Sequence, residues 1–181
     1  MIWIAIILVL GTVALFAIYG LLRGSLEHPR NLAEMVERLR PINPASLQHL
    51  ASRREDEYLR KRIPSREYRR LRNLRMQALR AYYSNALKNC SLLLAYGQLL
   101  GAHADPAHVQ FGRDLCRVTL QLRFALWRGL AGVFFCGFAP SLYPYPREIF
   151  DLYHEVGFRL SAFSEQYAPG LHLIISQQFS L

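Results

Sequence analysis

Ser65 to Gly101, SREYRRLRNLRMQALRAYYSNALKNCSLLLAYGQLLG, decides the fold class. On a 100° wheel its first half separates into two sides: Tyr68, Leu71, Leu74, Ala78, Leu79 and Tyr82 share one, while Arg66, Arg69, Arg70, Arg72, Asn73, Gln77 and Arg80 share the other. Past Lys88 the pattern changes, and Cys90, Leu92, Leu93, Leu94, Tyr96, Leu99 and Leu100 are apolar on most sides. The spacing predicts one long helix, capped by Ser65, that begins half-exposed and ends mostly buried. Arg75 falls in the middle of the apolar side, where it is expected to snorkel or to find a carboxylate.

Downstream, Gly101-Ala-His-Ala reads as a tight connection, and Asp105-Pro106 as a helix start with an acidic cap and proline at the first helical position. The helix to about Gly137 carries a narrow polar stripe of Gln110, Arg113, Asp114, Arg117, Gln121 and Arg128. Phe111, Leu115, Val118, Leu122, Leu126, Trp127, Leu130 and Val133 cover most of the rest, which suits the central helix of a bundle. Gly129 to Ala139 is uncharged, but extending it to membrane-spanning length brings in Arg123 and Arg128 at a cost of roughly 2.5–3.5 kcal/mol each. A core helix is the expectation.

Pro140 to Pro146 is a rigid linker, and Pro146 opens a helix to about Tyr167. Its Ile149, Tyr153, Val156, Leu160, Phe163 and Tyr167 repeat at steps of four and three, a heptad seam for antiparallel packing. Pro169-Gly170 ends that helix, and the apolar tail after it is suited to dock on the bundle. No stretch sustains a period of two, so little or no sheet is expected. Residues 65–181 thus read as an antiparallel three-helix bundle.

Upstream of the long helix, Asn31 with Glu34 has the spacing of a capping box, and Leu32, Met35, Val36 and Leu39 form one face of a short helix that Pro41 stops. INPAS reads as a turn, and Pro44 to Ile63 as a second short helix bearing Leu47, Leu50, Ala51, Tyr58 and Leu59, broken by Pro64. Residues 23–64 are therefore a juxtamembrane linker followed by two short basic helices.

That linker is expected to be juxtamembrane because Ile2 to Leu22 is an apolar run without a charge that Arg23 closes. At ~1.5 Å per residue it spans roughly 32 Å, against a hydrocarbon core of about 30 Å. It has no basic n-region, is long for a signal peptide and lacks a good cleavage site, so a permanent single-pass signal anchor at residues 1–22 is expected. Trp3 and Tyr19 lie near its ends, where aromatic rings favour the headgroup zone. Gly11, Ala14, Ala17 and Gly20 would let another helix approach. Positive charge follows the segment at Arg23, Arg30, Arg38 and Arg40 and does not precede it. The expected topology puts the N-terminus outside an inner (plasma) membrane and residues 23–181 in the cytoplasm.

The formal charge of +9 is concentrated near that anchor. Residues 23–88 hold 16 Lys+Arg against 7 Asp+Glu, and residues 89–181 hold 6 of each. The densest stretch, Arg60 to Arg80, has nine Lys/Arg and one acid, Glu67. Arg60, Lys61, Arg62, Arg66, Arg69, Arg70, Arg72 and Arg80 are the candidate contacts with anionic lipid headgroups, each worth about 1 kcal/mol near such a surface. An acidic protein partner is the alternative occupant. A solvated face paired with Glu55, Asp56 and Glu57 is the non-functional explanation. Nucleic acid is disfavoured because no recognition-fold signature accompanies the arginines, and the neighbouring tyrosines lie on the core side or outside the patch.

Chemistry is harder to find. Cys90, Cys116 and Cys136 are widely spaced, with no CxxC and no His/Cys cluster, and read as reduced core thiols. Antiparallel packing of the two long helices, with partner numbers summing to about 207, would put Cys90 and Cys116 at nearly the same level. His103, Asp105 and His108 flank the hairpin turn, but their spacing does not match a zinc motif and Asp105 is better explained as a cap. No nucleophile elbow, phosphate-binding glycine loop or paired carboxylates occur, and no cofactor or metal is implied. The reading is a non-enzymatic interaction or scaffold module held at a membrane. The alternative is a membrane-tethered enzyme or small-ligand sensor with a pocket between the bundle helices, drawing on Arg75, Arg123 or His154.

Overall fold

The computed structural model describes residues 29–135 and 147–179, and among these every regular element is a helix. The expected anchor at residues 1–22, Cys136 and the proline-rich linker before Arg147 lie outside the described residues. No helix among the described residues is long and apolar enough to cross a membrane.

Local chemistry sets the short helices. In α1 (Leu32–Arg38), Asn31 accepts a hydrogen bond from the Glu34 amide at 2.8 Å. The reciprocal arm of the expected box lands one residue early, with Glu34 accepting from the Arg30 amide at 2.7 Å. The segment expected as one helix from Pro44 to Ile63 is two, α2 (Pro44–Leu50) and α3 (Arg53–Arg62). Ser52 causes the break: its hydroxyl accepts from the Glu55 amide at 3.3 Å, starting a new helix whose first turn holds Glu55 and Asp56. Three short helices, not two, therefore precede the long one. INPAS is likewise only partly a turn, since Asn43 caps α2 by accepting from Ser46 N at 3.1 Å and Pro44 lies in the first helical turn.

The long helix α4 (Ser65–Gly101) starts directly after Pro64, with no side-chain cap, so Ser65 is its first residue and not its cap. Its buried seam differs from the expected side. Met76, Leu79, Tyr83, Ala86, Cys90, Leu93, Gly97 and Leu100 are all buried and follow alternating steps of three and four, whereas Leu74 is 54 % exposed. The seam meets α5 (Pro106–Phe135), which contributes Leu115, Thr119, Leu122 and Leu126 at the same alternation, and Val133 seven residues beyond. Asp105 caps α5 as expected, accepting from the Ala107 amide at 3.0 Å.

The α4–α5 hairpin is closest near its turn, where two glycines face each other. A Cβ on Gly112 would lie 2.6 Å from the Gly97 carbonyl oxygen, and one on Gly97 would lie 2.6 Å from Cys116 Sγ. Farther down, Tyr83 packs against Gly129, and Cys116 points at the Leu94 carbonyl at 3.8 Å. These pairs shift the register beyond the expected one. Cys116 is level with Leu94 and Gly97, while Cys90 neighbours Arg123, so the two thiols are separated by one to two turns and both are free.

α6 (Arg147–Tyr167) packs antiparallel on α5 through the predicted seam: Ile149, Tyr153, Val156, Leu160 and Phe163 are buried, and Phe163 stacks on Phe111 at 4.0 Å. Tyr167 at its end is 40 % exposed and closes an aromatic group with Phe163 and His108. Pro169-Gly170 ends α6 but also begins α7 (Pro169–Phe179), the docked tail. Its Ile175 and Phe179 are buried, and the Phe179 ring occupies the space that Gly157 leaves on α6. Gln178 donates to the Val36 carbonyl at 3.3 Å, joining this last helix to α1.

Candidate functional site

The basic stretch spans the end of α3 and the first half of α4. Arg60, Lys61 and Arg62 form the last turn of α3, where the helix dipole favours cations. They are exposed, as are Arg66, Arg69, Arg70 and Arg80 on α4; Arg72 is half-buried. The Arg62 guanidinium lies 5.2 Å from the centroid of the exposed Tyr58 ring.

Arg75, the ninth cation, leaves the face altogether. It is 8 % exposed and donates to the carbonyls of His49 at 2.8 Å and Leu50 at 3.1 Å, the C-terminal end of α2. Glu55 completes its environment at 3.5 Å, so the expected carboxylate is present but secondary to the helix end.

That arrangement engages two of the three acids, Glu55 and Asp56, that sequence proximity offers to the basic face. Glu55 is shared between Arg75 and His49, the latter at 2.9 Å. Asp56 accepts from the Tyr68 hydroxyl at 2.8 Å; partial burial, then this carboxylate, push the Tyr68 pKa up. Among the described residues no salt bridge engages Arg60, Lys61, Arg62, Arg66, Arg69 or Arg70.

Three of the predicted contacts converge. Arg69, Arg72 and Arg80 line one side of a cleft of about 430 Å³, with Asn73, Met76 and Gln77 between them on α4 and Val133 and Phe134 opposite on α5. The Arg80 guanidinium lies 4.6 Å from the centroid of the Phe134 ring, which is 54 % exposed. Among the described residues, no acid lines this cleft. Arg66 and Arg70 lie outside the lining, as do the three cations of α3. Sequence reasoning missed Met76, Val133 and Phe134, because their placement depends on the hairpin register.

A second cleft, about 260 Å³ between α5 and α6, has a different character. Asp114, Arg117, Gln121, Glu155 and Arg159 line it, and Arg159 pairs with Glu155 at 2.7 Å and with Asp114 at 3.8 Å. Its charges are compensated internally. Neither cleft is lined by Arg75, Arg123 or His154, the groups expected of a pocket between bundle helices.

The remaining titratable groups serve packing. Burial pushes the Cys90 thiol up to about 12, with the Arg123 guanidinium acting the other way, and burial lowers the pKa of Arg123 itself. His103 stacks on His108 at 4.5 Å, and His108 Nδ1 lies 2.7 Å from Asp105, a capped helix start decorated by two rings. Among the described residues no three His, Cys, Asp or Glu side chains are grouped to hold a metal. No family of known proteins, no curated protein and no solved structure matches this chain.

Proposed function

We propose that this chain is a single-pass membrane-anchored helical interaction module whose Arg-rich face meets anionic lipid headgroups. Residues 2–22 supply the anchor, with the N-terminus outside and residues 23–181 on the cytoplasmic side, and the bundle of residues 65–181 stands beyond three short helices. The observation that carries this reading is the set of exposed cations from Arg60 to Arg70, which no described carboxylate pairs with, close behind a charge-free apolar segment. Glu55 and Asp56 are held by Arg75, His49 and Tyr68, which leaves the face its charge. At about 1 kcal/mol per cation, screened by salt, six such groups suffice to hold a tethered domain against an anionic surface.

The test uses the full chain in nanodiscs with a fluorophore on Ser65→Cys and a quencher in the headgroup layer. Quenching is expected in anionic but not zwitterionic bilayers, relieved by salt and lost on charge reversal at Arg66, Arg69 and Arg70. Quenching that is equal in both lipids, or insensitive to the triple reversal, refutes it. Crosslinking of the same face to a defined acidic protein in native membranes would give the surface to that partner instead.

A further inference from the structure

We propose that the cleft between α4 and α5 is a binding site for a phosphomonoester that carries an apolar chain. The inference deepens the reading of the basic face and rests on it, but it concerns a bound molecule and not a surface.

Charge selects the head. Arg69, Arg72, Asn73, Met76, Gln77 and Arg80 recur at steps of three, one, three, one and three, which lays them along one stripe of α4. Three guanidinium groups on that stripe share one cleft, and its lining among the described residues includes no carboxylate. A carboxylate ligand offers two oxygens and a single charge. A phosphomonoester offers three acceptor oxygens and a charge of about −1.5 to −2, and guanidinium forks match such oxygens bidentately. Asn73 and Gln77 add amide donors and acceptors for the ester and hydroxyl oxygens beside the phosphate.

The opposite wall selects the body. Val133 and Phe134 of α5, opposite the arginines, and Met76 between the arginines on α4 give the cleft its apolar lining, and Arg80 already covers one face of the Phe134 ring. A flat base stacking on that face would have to displace Arg80, whereas a flexible alkyl chain can lie along Met76, Val133 and the ring edge. The volume of about 430 Å³ falls within the range of small-molecule sites, roughly 300–1,000 Å³. It suits a glycerophosphate head with the beginning of a chain.

Calorimetric titration of the full chain in zwitterionic nanodiscs tests this, with empty nanodiscs as the blank. The probes are monomeric dihexanoyl phosphatidate, inorganic phosphate and dihexanoyl phosphatidylcholine. Saturable phosphatidate binding is expected, at least about tenfold tighter than inorganic phosphate, with no saturable phosphatidylcholine binding. Arg69→Gln with Arg80→Gln should weaken it by about tenfold or more. Phe134→Ala should weaken phosphatidate binding severalfold and leave inorganic phosphate unchanged. These side chains are exposed, and unchanged helical circular dichroism confirms that the variants fold. Absence of saturable phosphatidate binding, equal affinity for inorganic phosphate, or indifference to the double arginine variant overturns the proposal. Arg66→Glu with Arg70→Glu lies outside the cleft, so it should reduce headgroup quenching and spare this binding; the two readings thus fail separately.

Discussion

Asn89 grips the backbone of Arg40 with both ends of its side-chain amide. The Arg40 N–H donates to Asn89 Oδ1 at 3.0 Å, and Asn89 Nδ2 donates to the Arg40 carbonyl at 2.8 Å. Asn89 is buried about two thirds of the way along α4, so this pair fixes the segment between α1 and α2 against the long helix. Arg40 Nη1 reaches Asn85 at 2.9 Å, one turn earlier, and the Tyr82 hydroxyl donates to the Asn43 carbonyl. Three side chains of one stripe thus hold the connection between the two short helices. Asn89→Leu would strand one backbone donor and one acceptor, at roughly 1–3 kcal/mol for each buried group. We expect a loss of about 2–4 kcal/mol, read as a lower denaturant midpoint, and a smaller loss for Asn89→Asp, which keeps the acceptor.

Arg75 works differently, because it closes a helix end. Its guanidinium holds the last carbonyls of α2 and approaches Glu55 of α3, docking both short helices on α4. Arg75→Met keeps the apolar stem and removes the donors, with an expected cost of about 2–3 kcal/mol. Trypsin should then cleave at Arg53–Arg54 well before it cuts α4. Unaltered protease resistance there would show that the helices dock without Arg75.

Glycines near the hairpin turn give opposite predictions within one contact. A Cβ on Gly112 would lie 2.6 Å from the Gly97 oxygen and 2.9 Å from the Gly101 nitrogen, both backbone atoms. Gly112→Ala should therefore push the helices apart and cost about 1–3 kcal/mol. Gly101, the last residue of α4, has nothing within 4 Å of where a methyl group would stand. Gly101→Ala should therefore stabilise by about 0.5–1 kcal/mol through chain entropy and helix propensity. Thermal melts of the two variants should move in opposite directions.

What could be read from sequence divides by the range of the forces involved. Caps at Asn31 and Asp105 are legible because the donor and acceptor lie within three residues of each other. The α6 seam is legible because one partner face suffices to bury Ile149, Tyr153, Val156, Leu160 and Phe163. α4 is harder, since α5 covers one side and α1–α3 cover another. Their combined demands bury Arg75 and Met76 and leave Leu74 outside. The break at Ser52 is hidden because the helical period of Leu47, Leu50 and Leu59 runs through it, and only the competing cap reveals it. The eight cationic contacts are visible as a run, but their grouping is not. Arg80 meets Phe134 instead of a residue nearer Trp127, because the glycine contact sets the hairpin register.

Cys90 and Cys116 should respond unequally to thiol reagents. Cys90 is fully buried with its pKa pushed up to about 12, and burial raises that of the half-buried Cys116 less. In a Cys136→Ser background at pH 8, Cys116 should label slowly and Cys90 only on unfolding. The folded thiol binds its proton more tightly than the unfolded one. Cys90 therefore contributes its full stability below the ordinary thiol pKa, near 9, and loses it progressively as pH rises towards 12. Cys90→Ala should flatten that alkaline decline at the cost of a small cavity.

At the acid end the sign reverses at Asp105. Its carboxylate accepts from the Ala107 amide at 3.0 Å, which is the first cause of its lowered pKa, and lies 2.7 Å from His108 Nδ1, the second. A depressed carboxylate pKa means that the folded state holds its proton less tightly. The contribution is complete above the ordinary value of about 3.8 and disappears as pH falls through the lower folded value. Asp105→Asn keeps an oxygen to cap α5 but cannot titrate. Melting temperatures taken from pH 6 down to pH 2 should fall less steeply for this variant than for the parent, with the two curves converging at the acid limit. Parallel curves over the whole range would show that the cap is held by geometry alone, without its charge.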